Sequence, residues 1–169
     1  MPSWKVHKEI GKIILNFYNH EIDQLIDSED HDAGRYDNAV LSWQFEYVWS
    51  KWGWEGICYY VLHHVLDRIQ DITVSEICDL GEFYLYGELT RLTSKSVWRK
   101  YKHLYGSPVA DKFENAYKLF LENVLNRVKT DYYILRLAKT GDEKRDRLLK
   151  YTLEYIIVSL KLGGKGAWQ

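Results

Sequence analysis

An all-α fold follows from three features of the 169-residue chain. Prolines are confined to Pro2 and Pro108, so little interrupts a helical pattern. Apolar residues recur at three-to-four spacing in segment after segment, and alternating strand patterns are nearly absent. Such patterning predicts a single-domain bundle of about seven helices over residues 1–162, followed by a C-terminal tail at 163–169, where "GGKGAWQ" reads as an unstructured end.

The elements follow in order. From Trp4, the residues Val6, Ile10, Ile13, Ile14 and Phe17 mark an amphipathic first helix. A short second helix lies around "HEIDQLID", with Ile22, Leu25 and Ile26 apolar. After the acidic stretch "EDHDAGRYD", Asn38 can cap a third helix carrying Val40, Trp43, Tyr47 and Val48. Gly53 and Gly56 bracket the start of "WEGICYYVLHHVLDRIQDI", which is apolar almost all round in its upper half and so predicts a helix in the middle of the bundle. "TVSEICDLGEFYLYGELTRL" continues as helix with weak points at Gly81 and Gly87. Ser94 caps "KSVWRKYKHLYG", and Ser107-Pro108 opens a helix that can run to about Lys139. A final helix carries Leu148, Leu149, Leu153, Ile156, Ile157 and Leu160, and "LGGKG" ends it.

Composition excludes several classes. A formal charge of −1 provides no overall field for nucleic acid or an anionic membrane, and the basic clusters at 99–102 and 144–150 read as wet helix faces. Cys58 and Cys78 are not spaced as a redox motif and stand in apolar helical contexts, so buried reduced thiols are expected. "MPSWKVHKEI" has charges where a secretory leader needs an apolar run, and the longest apolar stretches, "ICYYVL" and "YIIVSL", are too short to cross a bilayer. A cytoplasmic protein with no membrane partner is the expectation. The 14 tyrosines and 7 tryptophans predict either a ring-rich core or an exposed interaction face. That composition, with few prolines and one methionine, would suit a thermophile's protein. No serine- or cysteine-based triad motif and no phosphate-binding glycine loop occurs.

The chemistry-bearing residues are histidines and aspartates. Of six histidines, His7, His31, His63 and His64 fall in three local groups, whereas His20 and His103 lack acidic-histidine company and read as surface residues. His63 and Asp67 are four apart on the most apolar helix, so their side chains can project to one point. A carboxylate there must be paired, hydrogen-bonded or metal-bound, because burying it bare costs several kcal/mol. Imidazole and carboxylate together suit Mn, Fe, Ni, Co or Zn, and one or two such ions could activate water. The bland alternatives are a hydrogen bond within the first helix for His7, a solvated turn for the acidic stretch, and an Asp67-Arg68-Asp71 surface network.

The order His7, then His31-Asp32 followed by Ala-Gly-Arg ("HDAGR"), then a further His/Asp group resembles the HD-domain metal-dependent phosphohydrolases. The resemblance covers residues 4 to about 71. It implies that His7, His31, Asp32 and Asp67 would be metal ligands, with Asp71 and Asp79 as reserves for the last. His63 or His64 would match the extra histidines of two-metal members, His63 as a ligand and His64 as an assisting catalytic group. Arg35 would face the phosphate. "MPSWKVH" and the helical His63-to-Asp67 pair are also similar to the zinc-dependent phospholipase C and P1-nuclease group. There His7, an Asp from 30–37, His63 and Asp67 would bind zinc. Both resemblances imply hydrolysis of a phosphoester in a phosphorylated small molecule or nucleic acid. The competing reading is a non-catalytic helical interaction module with a structural or vestigial metal site. In that reading the tyrosines and tryptophans form a partner-binding or self-association face; in either reading the helices from Ser107 onward pack against the site, form a homodimer surface, or do both.

Overall fold

The computed structural model of the protein describes residues 4–28, 38–78, 118–120, 122–124, 126–137 and 141–163. These are mostly helical, with no strand among the described residues, and form six helices against the seven or so expected. The first is α1, Trp4–Leu15, and α2 spans His20–Ile26. The long α3 covers Asn38–Cys78. Helical residues at 118–120, 122–124 and 126–127 make up α4, α5 is Tyr132–Arg136, and α6 is Glu143–Gly163. The expected helices between 79 and 117, including the Ser107-Pro108 start, lie outside the described residues.

Local chemistry sets the boundaries. Asn16 adopts a left-handed φ of 51° just after α1, which is tolerated by asparagine and stops the helix short of Phe17. Asn19 then caps α2, its side-chain oxygen accepting from the N–H groups of Glu21 and Ile22 at 2.8 and 3.3 Å. The two helices expected on either side of Gly53 are joined end to end as α3. Gly53 makes the kink between them, with φ 59° and ψ −145°, a conformation that glycine adopts without a Cβ penalty. The expected helix from Ser107 to about Lys139 does not run through. It breaks before Asp131, whose Oδ1 accepts from the N–H groups of Tyr133 and Ile134 and so starts α5 as a separate turn.

The half of α3 beyond the kink is the axis of the protein. Ile57, Tyr59, Leu62, Val65, Leu66 and Ile69 are fully buried there, and the helix contacts α1, α2, α5 and α6. This all-round burial is what the pattern of 57–66, apolar but for His63 and His64, predicts. Isolated carboxylates could not survive on it, so Asp67 is the position to explain. Arg68, a neighbour expected to share a surface network with Asp67 and Asp71, instead donates from Nε to Asp131 at 3.1 Å.

The aromatic residues serve both expected roles. Tyr59 and Tyr60 are core, whereas Trp43, Tyr132 and Tyr151 are more than half exposed. Cys58 is buried, as expected, and burial first, then Glu55, pushes its thiol up to about 12. No helix among the described residues is long and apolar enough to cross a membrane.

One close approach ties the fold to the site. A Cβ on Gly11 would stand 2.6 and 2.9 Å from two ring carbons of Tyr59 and 2.8 Å from the Phe17 carbonyl oxygen. The Phe17 contact is backbone and cannot swing aside. Gly11→Ala is therefore expected to lower unfolding free energy by about 1–3 kcal/mol despite alanine's better helix propensity. Urea denaturation checks this; a stabilised variant would show that the α1–α3 approach is looser than described.

Candidate metal centre

Three helices converge on one buried point. Helix α1 is amphipathic, so the periodicity that buries Val6 and Ile10 also buries His7. On α3, His63 and Asp67 lie one turn apart and project together. His7, His63 and Asp67 are each fully buried, and each has a ligand-capable atom within 4.8 Å of those on the other two. The short helix α2 adds Asp23, also fully buried, and Asp27 at its C-terminal end, whose side chain is 10% exposed.

The distances define a compact His/Asp group. Asp67 reaches both imidazoles: its Oδ1 lies 3.2 Å from His7 Nε2 and its Oδ2 lies 3.3 Å from His63 Nε2. Asp27 Oδ1 stands 3.4 Å from the same His63 Nε2. On the other edge of that ring, Nδ1 donates to Asp23 Oδ1 at 2.9 Å, and the same oxygen accepts from the Tyr59 hydroxyl at 2.7 Å. The other oxygen of Asp27 accepts from Trp4 Nε1. The His7 and His63 rings stack with centroids 3.8 Å apart and planes 2° from parallel.

The contacts at Asp67 are close but misaligned. Both His7 nitrogens, His63 Nε2, both Asp67 oxygens and Asp27 Oδ1 are buried without a properly directed hydrogen bond. Each such group left unsatisfied costs about 1–3 kcal/mol, so the five that face one another here, His7 Nε2, His63 Nε2, both Asp67 oxygens and Asp27 Oδ1, are not explained by packing. A cation held between them would satisfy these atoms. In a four-coordinate site with bonds of about 2.1 Å, neighbouring donors are separated by about 3.4 Å, and the nitrogen–oxygen separations here, 3.2, 3.3 and 3.4 Å, reach up to that value. Two imidazole nitrogens and carboxylate oxygen form the donor chemistry of borderline divalent ions. Because the rings are parallel, their lone pairs run side by side, and a shared ion requires the rings to splay.

The charges are correspondingly coupled. His63 is held well above the usual imidazole range: burial opposes this, but the charge on Asp67, the hydrogen bond to Asp23 and the close carboxylate of Asp27 outweigh it. His7 is lowered, first by burial and then by the charge on His63. Asp67 is held well below the carboxylate range; burial opposes this too, and the two histidines overcome it. The stacked pair therefore carries one proton. His63 adds stability that is fully present below pH 6.5 and is lost as pH rises through its raised folded value. His7 works the other way, since below pH 6.5 the unfolded chain binds a proton that the native state refuses. Asp67 adds stability above pH 3.8 that is lost as pH falls through its lowered folded value. From these groups, metal-free protein is expected to be most resistant to urea near pH 6.5. A urea midpoint that climbs steadily through that region into alkali would contradict the assignment of the shared proton.

Of the residues expected from sequence, His7, His63 and Asp67 come together. His31, Asp32 and Arg35 lie outside the described residues, as do Asp79 and His103. His64 points elsewhere: its ring is beside Tyr60, with centroids 4.8 Å apart, and it lines a small recess with Arg68, Tyr133, Ile134 and Leu137. His20 is exposed, as expected. Asp71 is outside the buried group. Sequence reasoning missed Asp23 and Asp27, although a signal was present. They stand four apart on a seven-residue helix, each directly after a core isoleucine, Ile22 and Ile26.

Compared with family models, with curated proteins and with solved structures, the chain gives no match.

Proposed function

We propose that the protein binds a divalent metal ion, of the Mn, Fe, Ni, Co or Zn group, through His7, His63 and Asp67, and uses it to hydrolyse a phosphoester. The observation that carries the metal part is the concentration of unsatisfied nitrogen and oxygen atoms around Asp67. Their donor chemistry fits such an ion. The hydrolytic part rests on the resemblance of His7, "HDAGR" and the His63/Asp67 group to HD-domain phosphohydrolases. When bound, the ion would supply an acidified water and a Lewis acid for the developing charge. The chain's own part is to hold His63 and Asp67 rigidly on the buried axis of α3 and to bring His7 against them through the α1 contact. In the resemblance, Arg35 steadies the phosphate and His31 and Asp32 add ligands.

A second reading has its own support. Complete burial of His7, His63 and Asp67 suits a structural ion, which has a closed donor set and no open position. One series of measurements separates the two. Purified protein is analysed for metal, stripped with chelator, and reloaded with Mn, Co, Ni or Zn, then assayed with bis-p-nitrophenyl phosphate. About one ion per chain or more, with turnover that is lost in Asp67→Asn and in Asp32→Ala, supports the hydrolase. Chelator-sensitive folding without turnover identifies a structural ion. Absence of metal together with an unchanged melting temperature in chelator refutes both and leaves a helical interaction module.

A further inference from the structure

The two aspartates of α2 embrace a single imidazole. Asp23 faces Nδ1 of His63 and Asp27 faces Nε2, because residues four apart on a helix lie on one face one turn above the other. The two oxygens are in different situations. Asp23 Oδ1 is already engaged, accepting from His63 Nδ1 and from the Tyr59 hydroxyl, while Asp23 Oδ2 is buried without a donor. Asp27 Oδ1 is buried and has no hydrogen-bond donor, while its other oxygen is anchored by Trp4 Nε1. It lies on the Asp67 side of the ring, 3.4 Å from the nitrogen that Asp67 Oδ2 approaches at 3.3 Å.

From this placement on opposite edges of the ring, with Asp27 beside Asp67 at Nε2, we infer that Asp27 is a further ligand of the metal centre, and that Asp23 is a positioning residue that orients His63 toward it. The inference rests on the metal-binding reading above. An imidazole whose Nδ1–H is committed to a carboxylate offers a more basic Nε2 to a metal that displaces the Nε2 proton, and this arrangement of carboxylate, histidine and metal recurs in metal sites. Tyr59 locks the orienting carboxylate, and Gly11 lets Tyr59 pack close enough to do so. Trp4 performs the same service for Asp27 from the first turn of α1. With Asp27 included, the donor set becomes two imidazole nitrogens and two carboxylates. Two negative ligands neutralise a divalent ion, which is the charge balance a buried site requires.

The test is a cobalt(II) titration of the chelator-treated full chain, following affinity and the visible ligand-field spectrum, with each variant's apo melting temperature as a fold control. Asp27→Asn is expected to weaken cobalt binding and to alter the spectrum, because a donor atom has changed. Asp23→Asn is expected to weaken binding about 10–100-fold with the spectrum unchanged, because only the orientation of His63 has been released. Tyr59→Phe should move affinity in the same direction by less. It carries the positioning arm if Asp23→Asn does not fold. Wild-type affinity and spectrum in Asp27→Asn would remove Asp27 from the ligand set, and a changed spectrum in Asp23→Asn would place Asp23 within it. Wild-type affinity in both Asp23→Asn and Tyr59→Phe would end the positioning role. If the unmodified protein itself takes up no cobalt, the metal reading fails rather than this division of roles.

Discussion

Asp67→Ala is expected to abolish metal uptake and, even in the presence of chelator, to destabilise the protein by about 3–5 kcal/mol. The reasoning is electrostatic. Asp67 is fully buried and is the carboxylate that both imidazoles face, at 3.2 and 3.3 Å. Its removal leaves the protonated His63 without its strongest charge partner inside the core, and the methyl group left behind cannot fill the space. The expected drop in melting temperature is on the order of 10 °C for a chain of this size. The loss should be partly recovered at alkaline pH, where His63 can give up its proton at less cost. A variant within about 1 kcal/mol of wild type in chelator would mean that the cluster carries no significant buried charge.

Ile26→Ala tests how the centre is held rather than what it is made of. A helix of seven residues is marginal by itself in water, and α2 is attached to the bundle by Ile22 and Ile26, both fully buried. Truncating Ile26 removes the anchor directly before Asp27 and leaves a cavity facing α3, at a cost of about 2–5 kcal/mol. Because Asp23 and Asp27 reach His63 only while α2 is docked, metal affinity should fall with stability. Leu149→Ala on α6, of comparable burial but remote from α2 in the chain, should cost similar stability and leave metal affinity near wild type. Equal loss of affinity in the two variants would show that global loosening, not the seating of α2, governs the centre.

The His63–Asp67 pairing was legible in the sequence, since two residues four apart on a helix share a face wherever the helix lies. The same periodicity buried His7 with Val6 and Ile10 on α1. The central position of α3 was equally plain: residues 57–66, His63 and His64 apart, are apolar on every side, and only burial on every side satisfies them. The kink at Gly53 was marked by glycine, though not its direction. Asp23 and Asp27 were written in the same period but were passed over, because an acidic pair on a short helix is ordinarily solvated.

What local periodicity determined, then, is the helices and the face on which each histidine or aspartate stands. Which faces meet is a long-range matter. His7 and His63 are 56 positions apart, yet their rings stack at 3.8 Å; no property of either segment alone encodes that. The packing of α1 and α2 onto α3 decided it, by placing Gly11 against Tyr59 and the α2 isoleucines in the core. Side-chain volume and buried area, summed over the whole bundle, select that arrangement, and the geometry of the His/Asp group is inherited from it.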